Sequence, residues 1–124
     1  MLADQRLKAF APTVMPDKAK QFYKDILGLR FLSEDGYALE FDANGTVLRI
    51  AIVPEFKPQL FTVLGWDVDD ISSVIRSLNA KEVYCEKFGF LEQDELGVWT
   101  APGGAKVAWF KDPDGNLLSL TEYS

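Results

Sequence analysis

One order of elements occurs twice along this chain: an apolar strand, an amphipathic helix, then three strands. A repeated βαβββ order leaves few architectures open. The first copy opens with the apolar run Leu7 to Val14, where Pro12 points to an edge or an end of a sheet. Pro16 sits where a helix starts without losing an intrahelical bond, and Asp17 favours the positive end of the helix dipole. Ala19, Phe22, Tyr23, Ile26 and Leu27 recur at three and four, one face of a helix, and Gly28 is a stop. Leu29 to Ser33 reads as a strand. Tyr37, Leu39 and Phe41 alternate with Ala38 and Glu40 as a half-buried strand, and Val47 to Val53 is the next. Asp42-Ala43-Asn44-Gly45 between the last two is strong hairpin chemistry.

The second copy follows Pro54-Glu55-Phe56-Lys57-Pro58, which reads as a linker. Phe61 to Val68 is a strand, and Asp69 or Asp70 caps a helix with Ile71, Val74, Ile75 and Leu78 on one face. Glu82 to Phe88 reads as a strand, with a short addition at Val98 to Thr100. Ala105 to Phe110 and Leu117 to Glu122 flank Asp112-Pro113-Asp114-Gly115-Asn116, which is dense turn chemistry and closes the chain with a hairpin. The expected organisation is module one at 7–53, a linker at 54–60 and module two at 61–124.

Composition narrows the function classes. At 124 residues and 48% hydrophobic content the chain suits a single domain with a real core. No apolar run approaches a membrane span, and the N-terminus lacks a signal-peptide core, so a soluble cytoplasmic protein is expected, with no membrane partner. One cysteine, Cys85, fits a reducing compartment. A net charge of −6 argues against a nucleic-acid partner. The absence of histidine removes every His-based triad, acid, base or metal ligand from this chain.

Three segments carry a family resemblance. Phe22-Tyr23-Lys24-Asp25-Ile26-Leu27-Gly28-Leu29 looks like an FY-x-D-x-LG-L helix end, Trp66-Asp67-Val68-Asp69-Asp70 opens the second module, and Asp112-Pro113-Asp114-Gly115-Asn116 closes it. In this order they resemble the vicinal-oxygen-chelate superfamily, the glyoxalase, bleomycin-resistance protein and extradiol-dioxygenase group. The resemblance implies an α+β fold: two tandem βαβββ modules forming a curved mixed β-sheet cleft with the helices packed outside. It also implies a homodimer. Function does not follow from fold.

Enzymes of that superfamily hold a divalent metal with His, Glu and Gln side chains from the first and last strands of each module. The resemblance carries those positions to Lys8, Arg49, Val63 and Ser119, none of them a usual ligand. No metal and no cofactor are expected. The metal-free members of the superfamily that the chain resembles include the bleomycin-resistance type, which sequesters a small molecule without transforming it, and the acidic balance and the aromatics are compatible with that type.

Strand alternation puts Lys8, Phe10 and Pro12 on one face, Val47, Arg49 and Ala51 on one face, Phe61, Val63, Gly65 and Asp67 on one face, and Leu117, Ser119 and Thr121 on one face. Glu122 faces away from Ser119. Arg49 is either a solvated side chain or, with Lys8, a positive clamp for an anionic ligand in the metal's stead. Trp99 and Trp109 either stack a planar ligand or are structural, and Trp66 reads as core. Phe88-Gly89-Phe90-Leu91, within an acidic loop, either covers a pocket or packs on the sheet. Cys85 reads as a buried inert thiol. The expected ligand-binding set is Lys8, Phe10, Arg49, Val63, Trp99, Trp109 and Ser119. The alternatives are a glyoxalase-like lyase, isomerase or dioxygenase-related enzyme using a carboxylate base or an atypical metal, and an interaction module with a vestigial pocket.

Overall fold

A computed structural model describes residues 1–123. Ser124, the last residue of the expected second module, lies outside the described residues. The chain forms two compact units, Met1–Pro58 and one beginning at Gln59. Each is a four-stranded mixed sheet with one helical segment, so the α+β architecture with a doubled βαβββ order is the observed one.

In the first unit the elements run β1 (Lys8–Thr13), α1 (Pro16–Gln21), β2 (Arg30–Glu34), β3 (Ala38–Ala43) and β4 (Thr46–Ile52). The sheet order is β1-β4-β3-β2. β1 is an edge strand parallel to β4, which explains how Pro12 is tolerated in it. Asn44 and Gly45 have φ of 52° and 97°, the paired positive values of the turn that joins twisted antiparallel strands. The Asp42 carboxylate accepts the Gly45 N–H at 2.8 Å and holds that turn. α1 begins at Pro16 and does not end as a regular α-helix. Residues Phe22–Ile26 continue it as a π-helical turn, in which Leu27 N–H donates to Phe22 O at 2.9 Å. Gly28, at φ +76°, lets the chain leave, and Leu29 N–H closes on Tyr23 O.

That wider turn carries Phe22 and Tyr23 into the core. The Tyr23 ring lies 5.8 Å from Phe41, and Leu39, Phe41, Leu48 and Ile50 are fully buried on the same side of the sheet. Tyr37 departs from the expected alternation. It precedes β3, in a turn where the Asp35 carboxylate accepts its N–H, and its side chain is exposed.

In the second unit the elements are β5 (Thr62–Asp67), α2 (Ile71–Ala80), β6 (Trp99–Thr100), β7 (Lys106–Lys111) and β8 (Leu117–Glu122), in sheet order β5-β8-β7-β6. Asp70 is the N-cap of α2, accepting Ser73 N–H at 3.1 Å, and Glu122 accepts Ile71 N–H at 2.9 Å. α2 packs on β7 and β8. Ile71, Ile75 and Leu78 are buried there with Ala108, Phe110, Leu118 and Leu120. The β7–β8 turn is built around buried Asp112. Its carboxylate accepts the N–H groups of Asp114 and Asn116 and the Asn116 amide at 2.8 Å, while Gly115 takes φ +87°.

The expected strand over Glu82–Phe88 does not form. α2 ends with Glu82 at φ +65°, and Val83 N–H returns to Leu78 O at 3.0 Å, a closure that normally uses glycine. The segment then passes β7 with the Glu86 N–H donating to Trp109 O at 2.7 Å. The Gln93 side chain takes the place of a neighbouring strand. It donates to the carbonyls of Glu86 and Gly97 and accepts from Phe88 N–H. The second strand of the second unit is instead the two-residue β6, at the short addition expected near Val98 to Thr100.

Candidate functional site

Each sheet has one face against its helical segment and one face turned away from it, and ladder register decides which side chains share the second. In the first unit Phe10 pairs with Arg49, and Arg49 pairs with Glu40 across β4–β3. These three form a row across the sheet, opposite in direction to buried Leu39, Phe41, Leu48 and Ile50. Lys8 stands two residues before Phe10 on the same side.

Arg49 Nη1 donates to Glu40 Oε2 at 2.9 Å, and Lys8 Nζ donates to the same oxygen at 3.2 Å. Glu40 is the most covered of the three, at 21% side-chain exposure, against 30% for Arg49 and 46% for Lys8. Arg49, then Lys8, hold the Glu40 carboxyl below the usual glutamate range, so it stays ionised well into acid. The trio carries one net positive charge. Phe10 keeps 57% of its surface exposed beside it.

Glu40 is the residue that sequence reasoning missed. The alternation places it in a half-buried strand and assigns it no role. The signal was present: a two-residue turn at Asn44-Gly45 pairs 43 with 46, and so 40 with 49.

The second unit repeats the geometry with different chemistry. Ser119 of β8 pairs with Gly65 of β5 and with Trp109 of β7, the places that Arg49, Phe10 and Glu40 hold in the first unit. A Cβ added at Gly65 would lie 2.7 Å from Ser119 Oγ, so the serine hydroxyl occupies the space that glycine leaves. Trp99 pairs with Val107, and its ring is 6.2 Å from Trp109, tilted by 31°. Phe88 meets Trp109 edge-on at 5.5 Å, and Phe90 is 5.7 Å from Phe88 with most of its surface exposed. The acidic loop thus packs its Phe88 end on this sheet. Trp66 pairs with Leu120 on the helix side, where it is half-buried rather than part of the buried core. Val63 falls at an irregularity of the β5–β8 ladder, between Thr62 and Leu64, which leaves it half-buried and outside the paired register.

The structure therefore brings Lys8, Phe10 and Arg49 together on one sheet face, with Glu40 added. It brings Trp99, Trp109 and Ser119 together on the other sheet, with Gly65 and Phe88 added. Among the described residues, no group of three or more Cys, Asp or Glu side chains converges as metal ligands do. Cys85 packs against Gly97, and burial, with Glu86 and Asp94 nearby, pushes its thiol up to about 11.

A profile of the glyoxalase/bleomycin resistance protein/dioxygenase superfamily matches residues 8–120. The chain belongs to that superfamily. Among curated proteins, this glyoxalase-superfamily chain is 32% identical over 119 residues to the uncharacterized protein YraH of Bacillus subtilis strain 168, covering 83% of this chain and 86% of that one. Among solved structures it is similar to a glyoxalase family protein from Enterococcus faecalis, at 26% identity and TM-score 0.71 over 98% of this chain and all of the other. It is similar in fold to a glyoxalase/bleomycin resistance protein/dioxygenase from Alicyclobacillus acidocaldarius, at 16% identity and TM-score 0.74 over 97% and 92% of the two chains. It is similar in fold also to a lactoylglutathione lyase from Agrobacterium tumefaciens, at 18% identity and TM-score 0.73 over 96% and 93%. No helix of the described residues is long and apolar enough to cross a membrane.

Proposed function

We propose that this superfamily member is a metal-independent small-molecule-binding protein, with Lys8, Phe10 and Arg49 of the first sheet and Val63, Trp99, Trp109 and Ser119 of the second as its ligand-binding residues. The observation that carries this reading is the shared Glu40 oxygen, bonded by both Arg49 and Lys8. At the positions where the superfamily's enzymes draw metal ligands, this donor set does not fit a divalent cation. Lys8 and Arg49 are cations that repel one, Val63 has no donor, and Ser119 offers a neutral hydroxyl. Glu40, the carboxylate beside them, is already neutralised by two cations and has no need of a third.

The same pairing speaks against a carboxylate-base enzyme on this face. A carboxyl held below its usual range is a poor proton acceptor near neutral pH. The paired indoles of Trp99 and Trp109 beside Ser119 supply the flat apolar surface that a bound ring stacks on. The reading includes a homodimer in the cytoplasm, with no cofactor.

The test is a thermal-shift screen of chelator-treated protein against small carboxylates and cationic antibiotics, with metal analysis after dialysis against Mn²⁺, Ni²⁺ and Zn²⁺. A ligand that binds the folded chain raises the melting temperature by mass action. Stabilisation by a small molecule with less than one tenth of an equivalent of metal is roughly the expected result. Stoichiometric metal, or stabilisation that chelation removes, contradicts it.

A further inference from the structure

We infer that the first unit's sheet face is a seat for a monoanionic organic acid, a carboxylate attached to an aromatic or apolar body, and that Glu40 is its internal competitor. The inference rests on the small-molecule reading above and deepens it.

The seat is defined by convergence. Lys8 Nζ and Arg49 Nη1 both approach one carboxylate oxygen, Glu40 Oε2, at 3.2 and 2.9 Å. Two cations aimed at one point are what an incoming carboxylate needs, and the protein already fills that point with a carboxylate of its own. Charge sets the class of ligand. Within the trio two positive groups less one negative leave a single uncompensated charge, and Asp35, which also interacts with Arg49, takes up part of it, so the face suits a monoanion better than a dianion. The neighbouring residue sets the body of the ligand. Phe10 is the ladder partner of Arg49 and exposes 57% of its surface in the middle of a strand, next to a half-buried guanidinium. A ring on Phe10 places an attached carboxylate at the Arg49–Lys8 edge. Pro12 and Ala51 form the next ladder pair on that face, while in the other direction Lys8 pairs with Val47 and Val47 with Asp42, so the apolar side of the seat is the Pro12–Ala51 side.

Glu40 then has a function beyond anchoring its neighbours. Its negative charge weakens any anion that binds, and its removal frees both cations. A residue that only braces the sheet would not make ligand binding tighter when it is changed.

The experiment is an NMR titration of chelator-treated full-length protein with benzoate, benzamide, acetate and inorganic phosphate, followed at the amides of residues 8–11, 13 and 46–52. Benzoate is expected to shift these amides and saturate, with benzamide and acetate binding at least about tenfold more weakly. Glu40→Gln is expected to tighten benzoate by roughly tenfold and to help phosphate more, because one charge-assisted competitor is gone. Arg49→Ala is expected to weaken benzoate by tenfold or more, on the order of one charged hydrogen bond. Lys8→Ala, at a more exposed position less able to disturb folding, is expected to weaken it by about threefold. Failure of benzoate to bind overturns the inference. So does binding that is indifferent to Arg49→Ala and Lys8→Ala, or that weakens in Glu40→Gln. Saturable binding of benzamide, indifferent to Lys8 and Arg49, overturns the anion seat and leaves the small-molecule reading standing. Binding of benzoate only when Mn²⁺ is added overturns both.

Discussion

Arg49 and Glu40 face each other across the β3–β4 ladder, and their side chains meet at 2.9 Å on the side of the sheet away from the helix. The hairpin turn at Asn44-Gly45 fixes that register, so the backbone pairing of β3 with β4 sets the cation beside the carboxylate. Lys8 reaches the same carboxylate from β1. The sheet thus delivers three charged side chains to one point from three strands.

The carboxyls of Glu40 and Asp35 make folding sensitive to acid. Arg49 and Lys8 lower Glu40, and the N–H groups of Tyr37 and Ala38 lower Asp35. Both folded-state values lie below the unfolded ones. Their stabilisation is therefore complete above the ordinary glutamate value of 4.5 and the ordinary aspartate value of 3.8, and is lost as pH falls through the lower folded values. Urea midpoints measured from pH 6 downward are expected to fall in this window. Glu40→Gln is expected to flatten the slope, and a double-mutant cycle with Arg49→Ala to give a coupling of roughly 0.5–1 kcal/mol.

Glu82 adopts the left-handed conformation that closes α2, at φ +65°, without being glycine. Glu82→Gly is expected to stabilise the fold by about 0.5–1 kcal/mol, since the side chain's strain there exceeds the entropy glycine brings. Thermal or urea unfolding measures it, and a loss of stability contradicts this account of the helix end.

Gly65 and Ser119 compete for one space, with 2.7 Å between a Cβ at 65 and the serine Oγ. Gly65→Ala is expected to cost about 1–2 kcal/mol, and Ser119→Gly in the same chain to recover most of it. The double mutant's unfolding midpoint is the deciding observation.

Asp112 is buried and accepts the N–H groups of Asp114 and Asn116 together with the Asn116 side-chain amide. Asp112→Ala leaves those donors without that carboxylate and is expected to cost roughly 2–3 kcal/mol. Denaturant unfolding of the variant measures the loss.

The thiol of Cys85 is expected to be protonated at pH 8, because its pKa is pushed up to about 11 by burial and by nearby Glu86 and Asp94. Iodoacetamide is expected to label folded protein slowly, with a rate that climbs as pH approaches 11, and to label denatured protein fast at pH 8.

What was legible in the chain follows from which signals are local. Turn chemistry at Asn44-Gly45 and at Asp112-Pro113-Asp114-Gly115-Asn116 marks two hairpins, and period-two alternation puts Phe10 with Lys8, Arg49 with Val47, and Ser119 opposite Glu122. The doubled βαβββ order emerged from those signals. Three features needed the tertiary structure. A π-helical turn at Phe22–Ile26 shares the apolar spacing of an α-helix and differs only in its hydrogen bonds. The segment from Glu82 has the β-favouring residues of a strand, but a left-handed residue at its start and a side-chain clasp from Gln93 take up its backbone groups. The pairing of Glu40 with Lys8 joins residues 32 apart in sequence, across the parallel β1–β4 crossover, and no local pattern announces it.

In the proposed seat Lys8 and Arg49 supply the positive charge, with no metal ion. A calorimetric titration of benzoate into wild-type protein, in EDTA and again with excess Mn²⁺, tests it most directly. The same affinity is expected in both buffers and, in EDTA, a loss of about tenfold or more in Arg49→Ala. Binding that appears only with Mn²⁺ and survives Arg49→Ala would contradict it.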